Sequence, residues 1–443
     1  MTSPPAGPSA ATASGTAGAE PAGLDPRERR ALLDLGARFG TPLYVLRLDR
    51  VRDAAARLRA ALPEESRLCY SLKANPDPHV VSVLARAGLA AEVSSTGELD
   101  VALRAGFAPE DFLYTGPGKT AAEITAALGA GVRLFSVESV ADYRRVARLS
   151  AGAGTTARCL VRLNAGGASG AGLRMTGKPS QFGMDQRELG ELLAARSDHL
   201  EIVGTHLFAG TNIEGEAALL AEFAAAAEAT ASARKRLGLT GGIADLGGGF
   251  AAPYARPGSP AGYPSLRVEL EKVLDRTLPG WREGSPAVAF ESGRALTGDS
   301  GTLLSSVTDV KTSHDTVYVV LDAGTNVLGG MAGLGRLMTA GVRAEPLDDA
   351  EQSCEERPTV LVGPLCTPLD VLARRHVMRP PAVDSLLAVP NTGAYGLHAS
   401  LLGFLSRPLP GCVVLDGDDV VSASRLELVA RPLPDRQAEG TGE

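Results

Sequence analysis

Residues 67–74 read RLCYSLKA, a short apolar run closed by a lysine and followed at once by Asn75 and Pro76. The same texture recurs outward along the chain. AAEVSS (90–95), FLYTG (112–116), RLFSVES (133–139), RCLVRLNA (158–165), EIVGTHLF (201–208), IADLGGG (243–249) and AVAFESG (287–293) are all strand-like runs. Between them lie segments with helical periodicity, such as PHVVSVLARAG, TGELDVALRAG and GEAALLAEFAAAAEATASARKRLG. Strands alternating with helices imply parallel pairing, and eight such units is the count of a (β/α)8 barrel. A doubly wound sheet alternates too, but no G-x-G-x-x-G turn follows the first run.

Beyond residue 295 the texture changes. TLLSSVTDVKT, TVYVVLDAG, TVLVG, SLLAVPN, CVVLDGDDVVSAS and RLELVAR are strand-like with few helices between them. The division expected is a disordered tail at 1–24, a segment at 25–48 that joins a β domain through PLYVLRL (42–48), a barrel at 49–295, a mostly β domain at 296–431 and a disordered tail at 432–443. The fold class is therefore α/β. Of 443 residues 44% are hydrophobic, enough for a large core, and 44 basic against 51 acidic residues give a net charge of −7. That balance argues against a nucleic-acid surface. No apolar run is long enough to span a membrane, and the first 24 residues lack the basic and apolar regions of a signal peptide. Five scattered cysteines suggest neither zinc nor a disulfide framework. A cytoplasmic protein without a metal is the simplest expectation.

Chemistry in a barrel sits where strands end at their C-terminal face. Lys73 closes the first run, Glu92 and Ser94 the second, Arg162 the fifth, His206 and Phe208 the sixth, Gly247–Gly249 the seventh and Glu291–Arg294 the eighth. Any one of these could be a cap or loop polar; six together suggest a site. Only six basic residues are lysines, and Lys73 alone stands in apolar surroundings at a strand end. Desolvation there should lower its pKa and free a neutral amine for Schiff-base chemistry, although a salt-bridged lysine reads the same way. Lys119 in TGPGKT suggests a phosphate loop, but the leading glycine of that motif would fall on Leu113. The three glycines of ADLGGGF let backbone N–H groups approach a phosphate. FESGRAL adds Glu291 and Arg294, an acid to hold a pyridine nitrogen protonated or simply an internal ion pair.

Taken in order, YSLKAN, H-x-F-A-G-T, DLGGGF, ESGR, GPLCTPLD and GAYG resemble the motifs of fold-type III pyridoxal-phosphate decarboxylases, the superfamily of diaminopimelate and ornithine decarboxylases, from about residue 40 to 425. The resemblance implies pyridoxal 5′-phosphate as cofactor, bound covalently by Lys73. It implies a phosphate site from Gly247, Gly248, Gly249, Gly293, Arg294 and the Tyr395 hydroxyl, with Glu291 as pyridinium partner. Glu92, Glu98, Arg162, His206 and Thr211 match polar positions near the cofactor, and Phe208 stands where the family usually stacks a histidine on the ring. Cys366 is similar to the cysteine that crosses a homodimer interface to handle the proton. A racemase on the same scaffold, or a regulatory homologue without activity, are the rivals; the cysteine motif and the intact cofactor residues disfavour them.

Two departures bear on the substrate. Thr367 follows Cys366 where diaminopimelate decarboxylases usually show an acid, and NVLGGMAGLGRLM (326–338) replaces their Arg-Pro-x-Leu-Tyr segment. Gly329, Gly330, Arg336, Thr367 and Asp370 are the expected substrate contacts. An unpaired charge at a distal ammonium or carboxylate is costly, so diaminopimelate, ornithine and lysine should be poor substrates. These stretches resemble the biosynthetic-cluster branch of the family, which includes exosortase-associated decarboxylases and those acting on amino acids tethered to a carrier protein. The expected partner is thus a small amino-acid substrate, conjugated or carried on a protein.

Overall fold

The computed structural model describes residues 24–164, 173–174, 179–208, 210–329, 341–348 and 355–432. Eight parallel strands close into a barrel: Arg67–Ser71, Ala90–Val93, Phe112–Tyr114, Leu134–Val137, Ala157–Arg162, Leu200–His206, Ile243–Asp245 and Ala287–Ser292. Six lie within the runs read from the sequence, and the other two, Ala157–Arg162 and Leu200–His206, begin one residue before theirs. Helices alternate with them, the longest being Glu216–Leu237, which ends on Gly238 in the left-handed region.

Register partners in a sheet share a face, so the pairing shows what fills the barrel. Toward the strand starts the interior holds Ala90, Leu113, Leu134, Leu160, Ile243 and Ala289. Toward the strand ends it holds Ser71, Glu92, Ser136, Arg162, His206, Asp245 and Glu291. All seven are at most 5% exposed. Alternate residues such as Tyr70, Ala91, Tyr114, Phe135 and Val161 face outward into the main apolar core beneath the helices. One end of the barrel is thus an apolar plug and the other a buried polar layer.

The second unit is a nine-stranded sheet. Its path runs Val371–Met378, Arg357–Val362, Thr316–Leu321, Gly301–Ser313, Leu43–Arg47, Gly411–Asp416 and Asp419–Arg425, with Leu386–Val389 on Gly301–Ser313 and Glu345–Pro346 on Leu386–Val389. Leu43–Arg47 lies inside this sheet, antiparallel to Gly301–Ser313 and parallel to Gly411–Asp416. Its alternation serves two cores. Tyr44 and Leu46 join the main cluster, while Leu43 and Val45 pack with Leu32 and Leu35 of the helix Pro26–Phe39. That helix is capped by the Asp25 carboxylate, which accepts from Arg27 N–H and Glu28 N–H.

Two expectations about this unit need correction. Val371–Met378 (VLARRHVM) is a strand that the sequence reading passed over. RLELVAR is not one beyond Arg425: Leu426, Leu428 and Val429 have no strand partner and are 42%, 65% and 66% exposed. The expected tails fall largely outside the described residues. No helix among those described is long and apolar enough to cross a membrane.

Candidate active site

Lys73 lies just past the first barrel strand, in a single 3-10 turn, Leu72–Ala74. The turn is pinned from both sides. Tyr70 donates to Asn75 O (2.6 Å), the Asn75 amide to Gly393 O (2.8 Å), and Tyr395 N–H to Ala74 O (2.8 Å). The GAYG loop of the β domain is thereby stitched to the residues around the lysine. Lys73 Nζ donates to both Glu92 oxygens, at 2.8 and 3.0 Å, and Thr115 donates to Glu92 Oε1 at 2.9 Å. The ring of Phe208 lies 5.9 Å from Nζ.

This geometry corrects the expectation of a neutral amine. The Lys73 side chain is 42% exposed rather than sealed in a strand. Desolvation still pulls its pKa down, but Glu92, then Tyr395 and Glu291, outweigh it and hold the group above the ordinary lysine value. Burial would raise Glu92; Lys73 reverses this and keeps the carboxyl well below its usual range. Lys73 is therefore an ammonium paired with a buried carboxylate.

The glycine loop follows the seventh strand. Gly247 and Gly249 have φ of +72° and +115°, which disfavours side chains. A Cβ on Gly248 would sit 2.3 Å from Glu291 O and 3.4 Å from Phe208 Cε2. Beside it, Arg294 begins the short helix Arg294–Thr297, with its guanidinium 5.1 Å from the Tyr395 ring centre. Its buried Nε has no hydrogen-bond partner, and burial lowers its pKa. Tyr395 itself has φ +56°, and burial raises its phenol pKa despite Lys73 and Arg294. A Cβ on Gly293 would meet Ala74 Cβ at 2.7 Å, so this glycine lets the eighth-strand loop pass the lysine turn.

Across the mouth, Arg162 is paired with Glu138 (2.8 Å), whose other oxygen accepts from Gly183 N–H. The Phe182 ring lies 4.9 Å from the guanidinium. Thr211 belongs to the two-residue strand Gly210–Thr211 at the same rim. Deeper in, His206 Nδ1 is 2.8 Å from Ser136 Oγ, and Nε2 is 3.3 Å from Glu291 Oε1. Asp245 completes this group, its Oδ1 accepting from Gly247 N–H at 2.9 Å.

Most of the other residues named from the sequence have partners of their own. Glu98 accepts from Ser94 N–H (2.7 Å) at the start of its own helix. Lys119 is buried, donating to Gly116 O and Ser136 O and paired with Asp142 (2.7 Å), a structural cation. Asp370, expected at the substrate, is 2% exposed and bonded to the loop at Thr325 as well as to its own. It accepts from Thr325 N–H (2.7 Å), Thr325 Oγ1 (3.0 Å) and Leu365 N–H (2.8 Å). Thr367 Oγ1 takes Leu369 N–H at 3.3 Å, and Gly329 N–H donates to Ser400 Oγ at 2.9 Å. Cys366 is exposed. Gly330 and Arg336 lie outside the described residues. Conversely, Asp245, Ser136, Glu138 and Thr115 were not singled out beforehand. Asp245 had a visible signal: an acid closing an apolar run two residues before the first of the three glycines.

Comparison with known proteins agrees with this arrangement. The model of one family, described as pyridoxal-dependent decarboxylase, pyridoxal binding domain, matches residues 48–298. The chain is 31% identical to the L-glutamyl-(BtrI acyl-carrier protein) decarboxylase of Niallia circulans, over 87% of this chain and 91% of that one. It is also 31% identical to a diaminopimelate decarboxylase of Zymomonas mobilis, over 92% and 95%. Among solved structures, the diaminopimelate decarboxylase of Helicobacter pylori complexed with L-lysine superposes with a TM-score of 0.77 at 25% identity, over 88% and 95%.

Proposed function

This chain belongs to the pyridoxal-dependent decarboxylases, and from that premise we propose that it removes the α-carboxylate of an amino acid whose side chain is conjugated or carried on a protein. The observation that carries the substrate reading is Asp370. It is the only acid in the loop 363–370 that bears Cys366, and its oxygens take three hydrogen bonds from its own chain. A distal ammonium would find no carboxylate there, and an unpaired buried charge is strongly unfavourable. The carrier-protein substrate named for the Niallia circulans relative supports this reading. A free diaminopimelate substrate is the second reading, supported by the Zymomonas mobilis relative at equal identity.

The residues present fit pyridoxal 5′-phosphate. Buried polar atoms of Arg294, His206 and Glu291 lack hydrogen-bond partners within the protein, and the glycine loop forms a cradle that a Cβ would fill. When bound, the cofactor supplies an electron sink for the pair released from the Cα–carboxylate bond. Gly247–Gly249 and Arg294 would hold the phosphate, with Tyr395 beside them. Glu291 would keep the ring nitrogen protonated, and Phe208 would lie against the ring face without offering a hydrogen bond. Lys73 is the amine for covalent attachment, and Glu92 takes part of its charge in the resting site. Cys366 would return a proton to Cα. Its exposure, with Leu369 at 67%, Phe404 at 44% and Leu405 at 49%, supports a homodimer in which this loop reaches a partner's site.

The test is carbon dioxide release and product mass with three substrates: a glutamyl thioester of an acyl-carrier protein, free diaminopimelate and free lysine. Turnover of the thioester well above the other two supports the reading; preference for free diaminopimelate replaces it with the second.

A further inference from the structure

Three ionisable side chains from adjacent strands meet beneath the lysine and the glycine loop. His206, Asp245 and Glu291 each end or nearly end the sixth, seventh and eighth barrel strands, and each is 1% exposed. Their nitrogen and oxygen atoms lie within 4.8 Å of one another. Two carboxylates this close cannot both ionise in a buried site without a strong compensating cation.

We propose that His206 and Asp245 are positioning residues for Glu291: the imidazolium and a protonated Asp245 leave Glu291 as the anion of the trio and aim it. This rests on the reading that Glu291 faces the ring nitrogen of the cofactor.

The surroundings decide where the protons sit. His206 has Ser136 Oγ 2.8 Å from Nδ1 and the Glu291 carboxylate 3.3 Å from Nε2, so an imidazolium has an oxygen facing each ring nitrogen. Burial alone would lower its pKa, but Glu291 and then Asp245 outweigh burial and the opposing Arg162, and raise it. Asp245 has Glu291 beside it and Glu92 further off; burial, then Glu291, push its carboxyl up to about 7. Glu291 Oε1 lies 3.3 Å from His206 Nε2, and its charge also acts on Lys73, though less than that of Glu92. The remaining titratable neighbour is Cys69, whose buried thiol is pushed up by desolvation and by both acids, and so stays neutral. Asp245 also holds Gly247 N–H, so it ties the partner of the ring nitrogen to the phosphate cradle.

The test uses the full chain without cofactor, labelled with ¹⁵N-histidine, together with difference infrared spectroscopy. Of six histidines, His206 is assigned by the signals lost in His206→Gln. In the wild type it should remain an imidazolium at pH 7, and Glu291→Gln should lower its midpoint by about one pH unit or more. A carboxylic-acid stretch should titrate near neutral pH and vanish in Asp245→Asn, whose amide oxygen can still accept from Gly247. A neutral His206 at pH 7 in the wild type, or a band surviving in Asp245→Asn, overturns the proposal, and the wild-type titrations need no variant to fold. The underlying reading fails separately: with pyridoxal 5′-phosphate added, a Glu291→Gln visible spectrum identical to that of the wild type removes Glu291 from the ring nitrogen and leaves the trio's protonation as measured.

Discussion

Lys73 and Asp245 show how far a residue's own chemistry is set by its neighbours. The lysine was legible because lysines are few and this one closes an apolar run, but its charge state was not. Glu92 arrives from the next strand, and no local pattern shows that the two meet. Lys73→Ala should abolish both carbon dioxide release and the visible absorbance gained on adding pyridoxal 5′-phosphate; absorbance retained by the variant would move the attachment elsewhere. It should also change acid stability. A carboxyl held low, as Glu92 is by Lys73, stabilises the fold above its unfolded pKa and loses that contribution as pH falls through the folded value. Cofactor-free Lys73→Ala should therefore show a weaker fall in Tm than wild type as pH drops below the usual glutamate range. Asp245 has the opposite sign. A carboxyl raised to about 7 favours the folded state below its unfolded pKa, and that contribution is lost as pH rises toward 7. Asp245→Asn, a mimic of the neutral acid, should match wild-type Tm below the usual aspartate range, exceed it increasingly as pH rises to about 7, and keep that margin above it. A pH-independent difference would mean that Asp245 does not titrate in this window.

At the scale of elements, the barrel strands were readable because a parallel strand buried on both faces leaves an unbroken apolar run. The polar residues ending those runs marked the site for the same reason. The β domain was read less completely. In VLARRHVM two consecutive arginines interrupt the pattern, and the structure has register shifts where this strand meets Arg357–Val362, leaving Arg374 and Arg375 both exposed. RLELVAR alternates like a strand but finds no partner, and alternation alone cannot supply one. The glycine loop carries the clearest prediction at this scale. Because the obstacle to a Cβ on Gly248 is the Glu291 carbonyl and not a side chain that can swing away, Gly248→Ala should destabilise the protein by about 1–3 kcal/mol. It should also weaken pyridoxal 5′-phosphate binding, read by titration of the visible band. Unchanged affinity and Tm would show that the loop has room the geometry denies.

For the molecule as a whole, the chain order hides the architecture. Leu43–Arg47 precedes the barrel in sequence yet fills the gap between Gly301–Ser313 and Gly411–Asp416, and the residues after Lys73 bond to the GAYG loop. A chain starting at Leu48 should therefore fail to fold as a soluble protein, since removing an inner strand opens two unpaired edges; a soluble product with wild-type circular dichroism would contradict this. The proposed dimer makes another prediction. Mixed and refolded Lys73→Ala and Cys366→Ala chains should recover part of the activity that each lacks, because a shared site combines one residue from each copy. No recovery would place Cys366 outside the site.

The most direct measurement is the ratio of kcat/KM for release of labelled α-carboxyl carbon from a glutamyl thioester of an acyl-carrier protein and from free diaminopimelate, with purified enzyme and pyridoxal 5′-phosphate. With Asp370 committed to Thr325 and Leu365 and with Thr367 beside Cys366, the ratio should favour the tethered substrate by about tenfold or more. A ratio at or below unity would contradict the account.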